Sequence, residues 1–139
     1  MIAHVAAAAA AVALAPAATP GVTSTTITIG GTVPLSGPAA AFGSVARGSD
    51  AYFKYVNARG GVHGRKIVYK YVDDGYEPAK TVVATQQLVE QEKVFALFDT
   101  VGTDNALAIR EYVNDRKVPA LFVGSGVSKS PGSTRSTRG

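Results

Sequence analysis

The order of elements constrains this chain most: strand, helix, strand, helix, strand, helix, strand, from about residue 25 to residue 123. Thr25-Thr26-Ile27-Thr28-Ile29-Gly30-Gly31 is β-rich and ends in glycine, which predicts a buried first strand. A helix is expected over Ala41 to Ala58, with Phe42, Val45, Ala46, Tyr52, Phe53 and Val56 on its buried face, Arg47, Asp50, Lys54 and Asn57 mostly on the other, and Gly60-Gly61 stopping it. Lys66 to Val72 is β-branched and aromatic, a second strand. Pro78 opens the next helix, where its missing N–H costs nothing, and Ala79, Val82, Val83, Gln86 and Val89 form the expected stripe to about Glu92. Val94 to Phe98 is an unbroken apolar run, as in a parallel strand covered on both faces. A third helix over Asp104 to Arg116 and a fourth strand over Val118 to Val123 complete the series.

Strands alternating with helices predict an α/β fold. It should be a three-layer αβα arrangement with a parallel sheet of about four strands. Right-handed crossovers and a switch point between the first and third strands give the order 2-1-3-4. Ligands in such sheets sit beyond the carboxyl ends of the strands. Four loops occupy that rim: Thr32 to Ala41, Asp73 to Glu77, Asp99 to Asp104, and Gly124 to Ser128.

Composition narrows the function classes. The net charge is +4, but Lys129, Arg135 and Arg138 supply three of those charges, and +4 less three leaves +1 for the rest. So neutral a body attracts phosphate weakly, which speaks against nucleic acid as a partner. With no cysteine there is neither a disulfide framework nor a thiolate metal site. Val5 to Ala15 is apolar and too short to span a bilayer, and Ala13-Leu14-Ala15 and Ala15-Pro16-Ala17 match a cleavage pattern. Residues 1–18 therefore read as a signal peptide, although only His4 stands where a basic residue is expected. Residues 19–24 read as a linker, 25–128 as the folded unit and 129–139 as a low-complexity tail. The mature chain is expected to be soluble.

The motifs are more specific than the composition. Ile27 to Pro38 resembles the opening strand and loop of the periplasmic type I solute-binding proteins, which include the leucine/isoleucine/valine-binding components of ABC importers. Asn57-Ala58-Arg59-Gly60-Gly61-Val62-His63-Gly64-Arg65 resembles that family's glycine turn, and Asp73 to Lys80 its aspartate-to-proline helix start. Val118 to Ser128 resembles the strand and loop beneath its ligand. The resemblance covers residues 25–128, the N-terminal lobe of a two-lobed fold. It implies an exported protein, periplasmic or extracellular, that binds an amino acid, branched-chain or similarly apolar, and docks on ABC permease subunits. Family members are more than twice this long. The abrupt change after Ser128 therefore implies an incomplete fragment with weak or no binding. A flavodoxin-like regulatory or enzymatic domain, and a half-domain self-associating through its open sheet edge, remain alternatives.

The same resemblance implies ligand-binding roles for Phe42, Gly102, Thr103 and Ser125. Phe42 would pack on the ligand, or else be the first core residue of its helix. Thr103, with Gly102 and Ser125 beside it, would hold a carboxylate, or else cap the third helix. Asp73-Asp74 reads as a turn and helix-entry pair, because adjacent residues at a strand end point apart. His63 stands between Val62 and Gly64 in a glycine-rich turn, with no second histidine near it to make a metal site. No Ser/His/Asp set, Walker A motif or dinucleotide glycine fingerprint follows a strand, so neither catalysis nor a cofactor is expected.

Overall fold

The computed structural model describes residues 18–126. The expected leader, apart from Ala18, and the expected tail lie outside them. The described chain forms β1 (Thr26–Val33), a single 3-10 turn (Ala40–Gly43), α1 (Ser44–Ala58), β2 (Lys66–Asp73), α2 (Pro78–Gln86), β3 (Ala96–Phe98), α3 (Thr103–Asp115) and β4 (Ala120–Leu121). One turn of π-helix, Gln87–Gln91, extends α2. The sheet is parallel with the order β2-β1-β3-β4, as the sequence predicts.

β1 is the axis of the sheet. It pairs along its full length with β2, from Thr26 opposite Lys66 to Val33 opposite Asp73, and with β3 through Ile29–Ala96 and Gly30–Leu97. Its second half is buried from Ile29 to Val33. On one face Leu88, Val94, Leu97, Ile109 and Val113 form the larger core beneath α2 and α3. On the other, Val33, Ala46 and Val101 pack with Leu35, Tyr69 and Tyr71 beneath α1. The three layers follow from that division. Gly31 shows how tightly the α1 side is filled: a Cβ there would lie 2.4 Å from the Phe98 carbonyl oxygen and 2.6 Å from the Tyr69 hydroxyl.

Both short strands have a physical reason. β3 begins two residues later than expected because Val94 donates its N–H to the Leu88 carbonyl, closing α2, and Lys93 turns at φ +51°. β4 is only two residues long. Val118 donates to Val113 at the end of α3, Pro119 has no N–H to give, and Phe122 leaves the strand at φ +53°. Pro119 still contributes its carbonyl, which accepts from Leu97 at 2.8 Å.

The helix faces differ from expectation. On α1, which starts at Ser44, Ala46 is buried and Phe53 and Val56 are half-buried, but Val45 and Tyr52 are exposed, as is Phe42 in the 3-10 turn before it. Asn57, expected on the outer face, turns inward and clasps β2: its Nδ2 donates to the Ile67 carbonyl and its Oδ1 accepts the Ile67 N–H, both at 2.7 Å. On α2 the buried stripe is Thr81, Ala84, Thr85 and Leu88, whereas Val83 is 66% exposed and Ala79 and Gln86 also face outward. Helix geometry allows one inward stripe, and Asn105 of α3 bonds Thr81 on it, while the Thr85 hydroxyl is buried there without a hydrogen-bond partner among the described residues.

Leu88→Ala should therefore lower the free energy of unfolding by about 2–5 kcal/mol. Val83→Ala should change it by less than about 0.5 kcal/mol. Urea unfolding followed by circular dichroism checks both, and equal effects would contradict this assignment of the α2 faces.

Candidate functional site

The two aspartates that close β2 organise the rim. Asp73 accepts N–H bonds from Leu35 at 2.8 Å, Ser36 at 3.3 Å and Gly75 at 2.9 Å, so it fixes the loop after β1 against the loop after β2. The Ser36 hydroxyl, then these backbone donors, hold its carboxyl down at about 2. Asp74 points the other way and is fully buried. It accepts the Tyr76 N–H at 3.0 Å, the Thr81 hydroxyl at 2.8 Å and the Asn105 amide at 3.2 Å. Asn105 also donates to Thr81 at 2.6 Å. The turn-and-helix-entry reading thus has a concrete form: one carboxylate joins two loops, and the other ties α2 to α3.

That buried network positions one cleft-lining residue, Tyr76, and the glycine packed behind it. Tyr76 is held at φ +65° by the Asp74 carboxylate. Gly102 precedes α3 at φ +114°, and a Cβ there would meet Asn105 Oδ1 at 2.6 Å and the Tyr76 ring at 3.0 Å. Only glycine lets the α3 N-terminus approach this closely.

Beyond the strand ends lies a cleft of about 370 Å³. All four rim loops, or the residue next to them, contribute. Phe42 stacks on Tyr76 with ring centroids 6.5 Å apart, and Val45 lies beside them. Asp99 and Val101 come from the loop after β3, and Phe122, Gly124 and Ser125 from the end of β4. Phe122 packs on Phe98 at 5.2 Å, which connects it to the aromatic cluster of Phe53 and Tyr69 under α1. Burial raises the Tyr69 phenol pKa, so this cluster stays uncharged.

The four residues suggested by sequence take the following positions. Phe42 is 57% exposed and lines the cleft, so it is not the first core residue of its helix. Ser125 lines the cleft as well. Thr103 makes no cap, since α3 has no side-chain cap bond. Its hydroxyl lies 3.1 Å from the Ser125 hydroxyl and accepts the Gly126 N–H at 3.2 Å. Gly102 is buried behind Tyr76, and its N–H goes to the Gly124 carbonyl at 2.9 Å. Thr103 and Gly102 thus tie α3 to the β4 loop.

Sequence reasoning missed Tyr76, Asp99 and Phe122. Asp99 had a legible signal, a carboxylate directly after a buried apolar run at the ligand-bearing rim. Phe122 had none, because within Val118–Val123 it reads as a strand residue.

Comparison with known proteins agrees with this geometry. Residues 26–137 match the family model of the periplasmic binding proteins, and the chain belongs to that family. It is 43% identical over 93 residues to Leu/Ile/Val-binding protein homolog 3 of Brucella melitensis, covering 66% of this chain and 25% of that protein. A solved structure of a possible leucine/isoleucine/valine-binding protein from Rhodopirellula baltica superimposes with a TM-score of 0.70 at 28% identity. That match covers 84% of this chain and 30% of the other. The fatty acid ABC transporter substrate-binding protein from Thermomonospora curvata gives 0.63 at 32% identity, covering 71% and 25%. The chain therefore spans about a quarter of the length of the curated relatives it matches.

Two variants probe the rim. Gly102→Ala should destabilise the chain by about 1–3 kcal/mol, because it strains φ and displaces Asn105 from Asp74; a Tm equal to wild type would contradict the packing given above. Asp73 has a folded pKa near 2 against an ordinary value of 3.8. A depressed carboxyl pKa stabilises the fold above pH 3.8 and loses that contribution as pH falls toward 2. The wild-type advantage over Asp73→Asn should be under about 1 kcal/mol, because the carboxylate is exposed and screened. Urea titrations at stepped pH should show it shrinking across that window.

Proposed function

We propose that this chain is the ligand-binding portion of an exported solute-binding protein serving an ABC importer, and that it binds rather than transforms its solute. The observation that carries the reading is the cleft itself. It lies beyond the carboxyl ends of a doubly covered parallel sheet, where such folds take ligands, and each rim loop or its immediate neighbour supplies it. Its walls are mainly apolar and aromatic, which suits a small solute with a branched or extended apolar body. The names of the relatives, Leu/Ile/Val-binding in one case and fatty acid in another, point to the same physical class.

In this reading Thr103, Ser125 and the start of α3 receive the polar end of the solute, while Phe42 and Tyr76 cover its apolar body. Transport would follow from closure of a second lobe over the cleft and docking on permease subunits in the membrane. This chain matches about a quarter of such proteins, and it presents its cleft as an open surface. Affinity in a closing site comes from both walls, because each desolvates the ligand and supplies partners for its polar groups.

The 139-residue chain should accordingly bind leucine more weakly than millimolar in isothermal titration calorimetry. Micromolar binding would overturn the view that this portion holds only part of a site.

A further inference from the structure

Asp99 differs from every other carboxylate among the described residues in its setting. It stands at the end of β3, turned to φ +59°, with 7% of its surface exposed, and it lines the cleft. The one hydrogen bond that its carboxylate accepts among the described residues comes from the Ser49 hydroxyl of α1, to Oδ2, while its backbone N–H donates to the Leu121 carbonyl. None of the ion pairs among those residues includes it, and no lysine, arginine or histidine lines the cleft. Phe42, Tyr76 and Phe122 share the walls. A carboxylate largely withdrawn from water with only a hydroxyl partner is unfavourable by itself and is relieved by a cation. Burial accordingly raises its pKa, against a lesser lowering by Ser49. Aromatic rings beside it add attraction for an ammonium group, because their faces carry partial negative charge.

We infer that Asp99 is the counter-charge for the ammonium group of an apolar, amine-bearing solute. This rests on the solute-binding reading above and narrows it to a ligand class. A zwitterionic apolar amino acid fits, with its ammonium at Asp99 and its carboxylate toward Thr103 and Ser125. A solute with only a carboxylate places like charge beside Asp99, so fatty-acid-like ligands are selected against in this chain.

The test separates the two ends of leucine. Isoamylamine keeps the branched chain and the amine, and isocaproate keeps the branched chain and the carboxylate. Each is titrated, to tens of millimolar, into the isotope-labelled 139-residue chain, with the backbone amide resonances of Phe42, Tyr76, Gly124 and Ser125 as the readout. Isoamylamine is expected to shift them with an affinity about tenfold above that of isocaproate, the size of one partly screened charge pair. Asp99→Asn, which preserves shape and can still accept from Ser49, should remove that preference. Equal or better binding of isocaproate by the wild-type chain would overturn the inference and leave solute binding standing. So would a preference for the amine that survives Asp99→Asn. If leucine and both probes leave the cleft resonances unmoved at tens of millimolar, the inference is overturned, whereas the expectation of binding weaker than millimolar is not contradicted. The wild-type comparison decides without the variant should the latter not fold.

Discussion

Everything in this structure hangs on β1 being the central strand, buried on both faces. Its hydrogen bonds are consumed by β2 on one side and β3 on the other, so its position leaves no freedom to either neighbour. Gly30 and Gly31 sit at its middle and face opposite sides. A Cβ on Gly30 would press on Leu88 and Val94, and one on Gly31 on Phe98 and Tyr69. The absence of two side chains lets the Leu88 core and the Tyr69–Phe98 aromatic layer approach the sheet simultaneously. The strand then delivers Thr32 and Val33, both fully buried, to the point where β3 also ends. Thr32 and Thr100 meet there through a 3.4 Å hydroxyl contact. The cleft floor is thus set by backbone pairing, not by the loops that decorate it.

Above that floor, polar contacts do the positioning. In a low-dielectric interior a carboxylate must find donors, and Asp74 finds three from three different segments. Those bonds fix the turn that carries Tyr76, the first turn of α2 and the start of α3 at once. Asp73 does the same for the loops after β1 and β2 from the solvent side. The rim is rigid where it meets the sheet, and its variable chemistry is confined to a few side chains mounted on it.

This division explains what was legible in the sequence. Strand order and layer arrangement follow from apolar runs and from the handedness of crossovers, which are properties of long stretches. The rim loops could be located for the same reason. Individual helix faces were less accessible. Thr81 and Thr85 are fully buried while Val83 is exposed, because burial is decided by phase against α3 and, for Thr81, by bonds to Asp74 and Asn105, neither of which local hydropathy registers. The Thr85 hydroxyl is buried by phase alone, with no hydrogen-bond partner among the described residues. Asn57 was misplaced for a similar reason: its inward role is a pair of bonds to β2, invisible until the turn through Gly61 brings β2 alongside α1. In the cleft, Phe42 and Ser125 were reached through family resemblance. Tyr76 and Phe122 depend on left-handed backbone at φ +65° and +53°, where a sequence leaves little trace in a non-glycine residue.

Those two left-handed residues bear on the cleft more than their number suggests. A non-glycine residue at positive φ persists only where its surroundings over-determine it. Tyr76 has the Asp74 bond, the Phe42 ring and the close backbone of Gly102; Phe122 has the Phe98 ring. Both rings are thereby presented outward at 43% and 76% exposure, although burying either in the core would be favourable. A fold that holds aromatic rings at its rim by backbone strain and specific contacts has committed apolar surface to something outside itself. With Asp99 lining the same cleft, the inferred solute, apolar over most of its length and positive at one end, would meet both kinds of wall at once.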